Sequence, residues 1–167
     1  MDYSTAQWRI REWFPKLSEQ AFHDLRMFHV ELLRFNEKIN LISVKTIVDA
    51  DLHHFADSII VSTMIREQFA GKRVYDIGSG NGFPGIVLSI LNRDTEVVLV
   101  DSDLKKMEFA KHIASVVKLP KLQTQWKRVE DIKEDEIEFG ISRAFAPLPR
   151  ALMLTRRAFK KGGIYIN

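Results

Sequence analysis

Apolar side chains recur every three or four residues in the first third of the chain, which predicts amphipathic helices. A short helix is predicted over residues 5–14, ending at Pro15 because proline cannot continue it. Ser18 is placed to cap a longer helix. We interpret the apolar stripe of that helix as packing surface; it comprises Phe22, Leu25, Phe28, Leu32, Phe35 and Ile39.

A third helix is predicted from about Asp51 to Arg66, after an irregular stretch in which Thr46 is a further possible cap. His53, His54 and Asp57 lie near its start. Two histidines and one carboxylate do not make a convincing metal site, so hydrogen bonding at the helix start is the favoured interpretation and no metal is predicted. Residues 1–72 are therefore predicted to be a helical region packed on the rest of the chain.

From residue 73 the pattern changes to apolar strands that alternate with helices. Strands are predicted at 73–78, 96–101, 122–129, 139–144 and 164–167, and helices over 84–92, over 103–119 and from about residue 148. This alternation predicts an α/β, Rossmann-like core over residues 73–167, with a parallel sheet covered on both faces. Ligands of such sheets bind beyond the C-terminal ends of the strands, so the residues there are the candidates for function.

The first predicted strand ends in a glycine-rich turn, VYDIGSGNGFPG, over residues 74–85. Its glycines permit a tight turn and a close approach of the backbone to a ligand, and the next helix offers free N–H groups. Asp76 would repel a pyrophosphate but would attract the ammonium group of an amino acid. With the G-x-G-x-G spacing, this favours S-adenosylmethionine over a nicotinamide dinucleotide; a turn without a ligand is the simpler alternative. The predicted contacts here are Asp76, Gly78, Ser79, Gly80, Gly82 and Phe83.

Candidate side chains also follow the later strands. Asp101 lies where nucleoside-binding folds place an acid that holds the ribose hydroxyls, with Ser102 beside it, although Asp101, Ser102 or Asp103 could instead cap the next helix. Val129 and Glu130 could flank an adenine ring. Arg143, at the end of the fourth strand, needs an anionic partner, which is either a structural ion pair or a cofactor or phosphate contact.

Composition restricts the class of protein further. The 167 residues are 46% hydrophobic and include no cysteine, which excludes disulfides and thiolate metal sites. No apolar run of membrane-spanning length and no signal-peptide core are present, so a soluble, cytoplasmic protein is expected. The net charge is +3, and no acid follows residue 142. The six bases there predict either a polyanionic partner or a solvated face: Arg143, Arg150, Arg156, Arg157, Lys160 and Lys161.

Four stretches of the chain resemble the GidB (glucose-inhibited division protein B, or RsmG) family of bacterial small-subunit ribosomal RNA methyltransferases. They are NLISV with HFADSI (40–44 and 54–59), DIGSGNGFPGIVLSI (76–90), LVDSDLKKMEF (99–109), and RVEDI with GISRAFAPL (within 128–148). The combination of GFPGI and ISRAFA is much more specific than a glycine motif alone.

The resemblance implies a class I S-adenosylmethionine-dependent methyltransferase that acts on N7 of one guanine in 16S ribosomal RNA. The partner would be that RNA or the small ribosomal subunit. The cofactor contacts that it implies are Gly78, Phe83, Asp101, Val129, Glu130 and Arg143. No general base is expected, because guanine N7 is an unprotonated acceptor. Arg143, Phe145, Arg150, Arg156 and Arg157 are the candidates for contacting RNA, and Phe145 is equally compatible with the core.

One departure from the family pattern concerns the last strand. The family's final antiparallel hairpin does not follow residue 167, so the strand at 164–167 is expected to lie at an open edge and to lower stability or to pair with a partner. The alternatives in function are a catalytically inactive RNA-binding module and, less favoured, a nicotinamide-dependent oxidoreductase. The oligomeric state stays open.

Overall fold

The computed structural model describes residues 6–167, in which five parallel strands form one sheet of order β3-β2-β1-β4-β5. The predicted α/β architecture with a parallel sheet is confirmed. The strands are β1 (Val74–Ile77), β2 (Val97–Asp101), β3 (Leu122–Trp126), β4 (Ile137–Ile141) and β5 (Phe159–Ile166).

Six α-helices precede, connect and cover the strands of the described chain. They are α1 (Ile10–Trp13), α2 (Glu19–Asn36), α3 (Asp57–Met64), α4 (Gly85–Leu91), α5 (Leu104–Val116) and α6 (Leu148–Thr155). Short 3₁₀ segments cover Val44–Thr46, Arg66–Phe69 and Val129–Asp131. In the described part of the chain, no helix is both long and apolar enough to cross a membrane.

Of the two residues predicted to cap helices, Ser18 is confirmed and Thr46 is wrong. The Ser18 hydroxyl accepts a hydrogen bond from the Ala21 N–H at 3.2 Å, so Ser18 caps α2 as expected. Thr46 caps no helix, because its hydroxyl donates to the Ser43 carbonyl oxygen at 3.1 Å. The helix predicted from Asp51 begins instead as a turn of π-helix, Asp51–Ala56, without a side-chain cap, and α3 continues it.

Other predicted boundaries change as well. The third strand ends at Trp126 rather than at residue 129, and the fourth covers Ile137–Ile141 rather than 139–144. Of the helix predicted over 5–14, only Ile10–Trp13 is α-helical in the described chain, and residue 5 lies outside the described residues. The last strand starts at Phe159 rather than near residue 164, so the KKGG segment lies within β5. Phe159 pairs with Ile137 and Ile164 with Phe139, and the extra residues form a bulge in which Gly162 takes a φ of +80°.

One hydrophobic cluster joins the N-terminal helices to the sheet. The α2 residues Leu25, Phe28 and Leu32 are fully buried in the same cluster as Val97 and Leu99 of β2. The alternate β2 residues Val98 and Val100 belong to a second cluster on the other face, with Tyr75, Ile77 and Val129. The sheet is therefore covered on both faces, and its C-terminal edge lies between the two layers.

Candidate functional site

A cleft of about 850 Å³ opens at the C-terminal ends of β1, β2 and β4, where parallel α/β sheets bind ligands. Its walls are the glycine turn after β1, the end of β2, the 3₁₀ turn after β3 and the loop after β4. The predicted site residues that line it are Gly78, Ser79, Gly80, Asp101, Ser102, Val129, Glu130, Arg143, Phe145 and Arg150. The predicted residues outside its lining are Asp76, Gly82, Phe83, Arg156 and Arg157.

Asp76 lies directly beneath the glycine turn and is fully buried. Its Oδ2 accepts a hydrogen bond from the Gly85 N–H at 2.8 Å, whereas Oδ1 has no hydrogen-bond partner within residues 6–167. Burial raises the pKa of this carboxyl to about 7, against the lowering effects of the Gly85 N–H and the Arg143 charge. A Cβ at position 85 would lie 2.5 Å from Oδ2, so only glycine lets the start of α4 approach the carboxylate this closely.

The glycine turn is shaped by contact with Phe145. Gly78 has a φ of +65°, and its N–H donates to the Val100 carbonyl oxygen at 2.8 Å, which holds the turn against β2. A Cβ at Gly78 would lie 2.3 Å from Cδ2 of Phe145. The half-buried Phe145 ring therefore packs on the turn while it lines the cleft, so it serves both of the roles that the sequence left open.

Asp101 links the end of β2 to the glycine turn. Its Oδ2 accepts from the Gly80 N–H and its Oδ1 from the Asp103 N–H, each at 2.8 Å. The cap of α5 is Asp103, whose carboxylate accepts from the N–H groups of Lys105 and Lys106. Asp103 is therefore the cap, and each Asp101 oxygen has a further lone pair with which it can accept another hydrogen bond.

Val129 and Glu130 form the wall opposite the glycine turn. Both belong to the 3₁₀ turn that follows β3. Val129 is buried and, with Val100, gives the cleft an apolar patch, whereas Glu130 is exposed. An apolar side chain beside a carboxylate is the pairing expected for a flat, amino-bearing heterocycle.

Arg143 is held by the π-helical turn rather than left free in the cleft. Its guanidinium donates to the His53 carbonyl oxygen at 3.1 Å, to Asp57 Oδ2 at 3.3 Å and to His54 Nδ1 at 2.9 Å. Arginine only donates, so His54 Nδ1 must accept and Nε2 carries the proton, facing the Thr46 hydroxyl at 3.2 Å. Burial, aided by the Arg143 charge, lowers the pKa of His54 to about 4 and keeps this ring neutral.

Phe83 and Gly82 lie behind the cleft. The Phe83 ring is 2% exposed and stacks on Phe28 with a centroid separation of 4.8 Å. It also stacks on His54 at 5.4 Å, so it supports a side chain that does line the cleft. Their contacts with a cofactor stay predictions. Arg156 and Arg157 are exposed beyond the end of α6, outside the cleft.

Sequence reasoning missed the part of the cleft that comes from the N-terminal region. Leu41 and His54 line it, and the Asn81 amide donates to the Leu41 carbonyl oxygen at 3.0 Å, tying the glycine turn to that region. Periodicity gives no sign of these contacts. Leu41 and His54 lie in the family-like stretches at 40–44 and 54–59. The resemblance of those stretches was the signal in the sequence that could have indicated these two residues.

Solved structures share this fold at low sequence identity. A coclaurine N-methyltransferase bound to N-methylheliamine and S-adenosylhomocysteine superposes with a TM-score of 0.55 at 12% identity, over 95% of this chain and 55% of that one. A methyltransferase from Thiobacillus denitrificans in complex with S-adenosylhomocysteine gives a TM-score of 0.51 at 18% identity, over 66% of this chain and 47% of that one. The predicted fold, that of S-adenosylmethionine-dependent methyltransferases, is confirmed.

Sequence relatives are much closer. Ribosomal RNA small subunit methyltransferase G 3 of Bdellovibrio bacteriovorus is 42% identical over 161 residues, which are 96% of this chain and 73% of that protein. Ribosomal RNA small subunit methyltransferase G of Desulfitobacterium hafniense is 36% identical over 90% of this chain and 64% of its own length. The chain thus spans about two thirds to three quarters of the length of these two relatives. The family model for rRNA small subunit methyltransferase G matches residues 21–167, and the chain belongs to this GidB family.

Proposed function

We propose that this chain is an S-adenosylmethionine-dependent methyltransferase that methylates N7 of a guanine in 16S ribosomal RNA, in the cytoplasm. The single observation that carries the cofactor assignment is the fully buried Oδ1 of Asp76 beneath the glycine turn, which has no hydrogen-bond partner among residues 6–167. An unpaired buried acceptor destabilises a protein unless a ligand or water satisfies it. The ammonium group of an amino-acid moiety is a donor that matches its charge.

The rest of the cleft fits the other parts of this cofactor. Asp101 keeps acceptor lone pairs for the ribose hydroxyls, and its hydrogen bond to Gly80 sets its distance from the turn. Val100 and Val129 offer an apolar surface for adenine, with Glu130 beside it. A cleft of about 850 Å³ is within the usual range for cofactor sites. Bound there, the cofactor supplies an electrophilic methyl group.

Guanine N7 suits the groups that surround the cleft. It is a lone-pair acceptor, so no proton has to leave before it attacks. Both nitrogens of His54 are occupied and its pKa is lowered to about 4, so this histidine is not a free general base. The task of the chain is then to hold N7 in line with the methyl group, and orientation of this kind contributes about 7–11 kcal/mol in favourable cases.

An unstacked guanine needs a receiving surface. Phe145 and Arg143 both line the cleft, and the Arg143 guanidinium lies 5.3 Å from the centroid of the Phe83 ring behind it. Aromatic and guanidinium planes are the groups that receive splayed RNA bases. We therefore assign Arg143, Phe145 and Arg150 to the guanine side of the cleft, and the exposed Arg156 and Arg157 to the flanking phosphates.

The test is nucleoside analysis of the product. The chain is incubated with labelled S-adenosylmethionine and small-subunit RNA from a strain that lacks its gene, both as free RNA and as assembled subunits. We expect 7-methylguanosine as the labelled nucleoside, and methyl on a ribose or on N1 would refute the mechanism. Calorimetry with S-adenosylmethionine runs in parallel, because RNA binding without cofactor binding would identify an inactive RNA-binding module instead.

A further inference from the structure

The strand β3 ends in an exposed tryptophan next to the cleft. Trp126 is 61% exposed and lies on the edge strand of the sheet, in register with Asp101 of β2. Its indole N–H donates to the Ser102 carbonyl oxygen at 3.0 Å. That bond fixes one edge of the ring while much of the side chain stays in contact with solvent. A fixed, exposed aromatic ring is a binding surface that loses little side-chain entropy when a ligand stacks on it.

The ring forms one side of a shallow recess of about 620 Å³. Leu104, which is 44% exposed, also lines it, together with Ser102, Asp103 and Lys105. Ser102 lines the recess and the cleft alike, so the two adjoin each other at this residue. A base placed on Trp126 would therefore belong to the same strand of nucleic acid as a base in the cleft.

Basic side chains accompany the tryptophan. Lys127 and Arg128 follow it directly, and Lys105 and Lys106 begin α5. Within residues 6–167, none of these four bases forms an ion pair with an acid.

Five acids lie close to these bases in the chain, and of these Glu108 is paired with Lys111 and Asp131 belongs to the 3₁₀ turn after β3. Asp101 and Asp103 accept hydrogen bonds from backbone N–H groups, and Glu130 lines the cleft. The four basic side chains are therefore available to bind a polyanion. An aromatic ring among unpaired cations is the arrangement that binds single-stranded nucleic acid.

We propose that Trp126 stacks on an unpaired base that neighbours the target guanine in the RNA, while Lys105, Lys127 and Arg128 contact its phosphates. This inference rests on the proposed function. Drawing a guanine into the cleft unstacks its neighbours. The Trp126 ring acts as a stacking platform beside the cleft and replaces part of the lost stacking. The platform therefore favours RNA in which the guanine lies in a single-stranded loop over the same sequence in a duplex.

The experiment measures the affinity of small-subunit RNA for four proteins in the presence of S-adenosylhomocysteine. Loss of base–aromatic stacking should make Trp126→Ala bind the loop RNA about 5- to 140-fold more weakly. Trp126→Phe keeps a ring and should retain most of the affinity. Trp13→Ala is the matched control, because Trp13 is 37% exposed on α1 beneath Arg9 and lies outside the cleft. The control should bind RNA as the parent chain does.

Two further readouts separate stacking from folding defects. S-adenosylhomocysteine affinity and melting temperature should stay within about twofold and a few degrees of the parent for Trp126→Ala. RNA should quench the tryptophan fluorescence of the parent chain, and Trp126→Phe should lose most of this quenching, because neither Trp8 nor Trp13 lines the recess or the cleft.

The outcomes are distinguishable. If the parent chain transfers methyl to RNA and Trp126→Ala binds that RNA as tightly as the parent, the platform is wrong while the proposed function stands. If Trp126→Ala weakens binding to assembled subunits but not to protein-free RNA, the partner of Trp126 is a protein and the inference is overturned. If the parent chain neither binds nor methylates small-subunit RNA, both the function and the platform fail.

Discussion

Two aspartates at the ends of neighbouring strands have opposite surroundings. Asp76 is fully buried with one oxygen unpaired, whereas Asp101 is partly exposed with both oxygens hydrogen-bonded to backbone N–H groups. The first arrangement disfavours the charged form of the carboxyl, and a cationic ligand would stabilise that form. The second orders the turn and still offers lone pairs to a ligand. The two carboxylates therefore respond differently to substitution.

At Asp76 we expect a stability that depends on pH. Its pKa is about 7 in the folded chain and about 3.9 in an unfolded one, so the folded state holds the extra proton between these values. The free energy of unfolding should then fall as pH rises from about 4 to about 7, by about 1.4 kcal/mol per unit of pKa difference at most. Asp76→Asn cannot ionise, so its melting temperature relative to the parent should increase over this window.

His29 and His54 act in the opposite direction. Burial lowers the pKa of each to about 4, so they reduce stability as pH falls below about 6.5 in both proteins. The difference between Asp76→Asn and the parent, measured by thermal melts without cofactor from pH 4 to 8, isolates the carboxyl. The same variant should lose cofactor binding by calorimetry. A constant difference in melting temperature would show that Asp76 is ionised throughout.

Asp101 and Asp103 make a matched pair. Asp101→Ala removes hydrogen bonds to the turn and, in our proposal, to ribose; charged hydrogen bonds contribute about 1.5–3 kcal/mol, so cofactor affinity should fall roughly 10- to 150-fold. Asp103→Ala removes only the cap of α5 and should cost about 1 kcal/mol of stability. Calorimetry and melts on both variants check this, and equal cofactor affinities for the two would leave Asp101 a structural residue.

The sequence predicts the placement of individual residues well where local backbone geometry determines that placement. Two such positions, that of Asp76 before a glycine turn and that of Asp101 at a strand end, follow from strand–turn–helix geometry. The burial of Phe83 does not, because it depends on α2, which supplies Phe28 from 55 residues away. The contacts of Arg143 were equally hidden, since its partners His54 and Asp57 lie in another part of the chain.

Among the elements, those with many periodic positions were predicted best. The α2 stripe and its Ser18 cap follow directly from local pattern. The π-helical start of the third helix and the bulge in β5 do not. Both are fixed by long-range contacts: Asp51 of the π-turn accepts from the backbone N–H and the guanidinium of Arg9, and β5 follows its register with β4. Local pattern cannot report such pairing.

The segment from α6 to β5 carries four exposed bases beyond the cleft, Arg156, Arg157, Lys160 and Lys161. If they contact phosphates, the logarithm of RNA affinity should fall with the logarithm of salt concentration by about 0.7 per contact. Replacing all four by glutamine should flatten this slope and leave cofactor affinity unchanged.

The control replaces two exposed bases that line neither the cleft nor the recess, Lys16 and Arg66, by glutamine and should keep the parent slope. Arg150 is tested separately because it lines the cleft. An unaltered slope in the fourfold variant would assign α6 and β5 to a solvated face.

At the scale of the whole molecule, the predicted division at residue 72 coincides with a change of pattern. The buried core nevertheless extends across it. Phe28 and Phe55 of the N-terminal region share one hydrophobic cluster with Leu99 and Phe139 of the sheet. An ion pair between Asp24 and Arg93 crosses it too, as does a hydrogen bond between Glu31 and His112. Both regions contribute walls of the cleft. The integrity of the cleft therefore depends on the stability of the N-terminal region as well as on that of the sheet.

We therefore expect the chain to unfold in one transition. Far-ultraviolet circular dichroism, which follows both regions, and the fluorescence of Trp8, which packs on Phe55, should give coincident melts. Phe28→Ala should cost about 3–5 kcal/mol, lower both signals together and weaken cofactor binding, because Phe28 supports Phe83 and through it His54. Phe22→Ala, on the same helix but only partly buried, should cost less and leave cofactor affinity unchanged. Two separate transitions, with only the earlier one shifted by Phe28→Ala, would show that the N-terminal helices fold independently of the sheet and that the cleft survives without them.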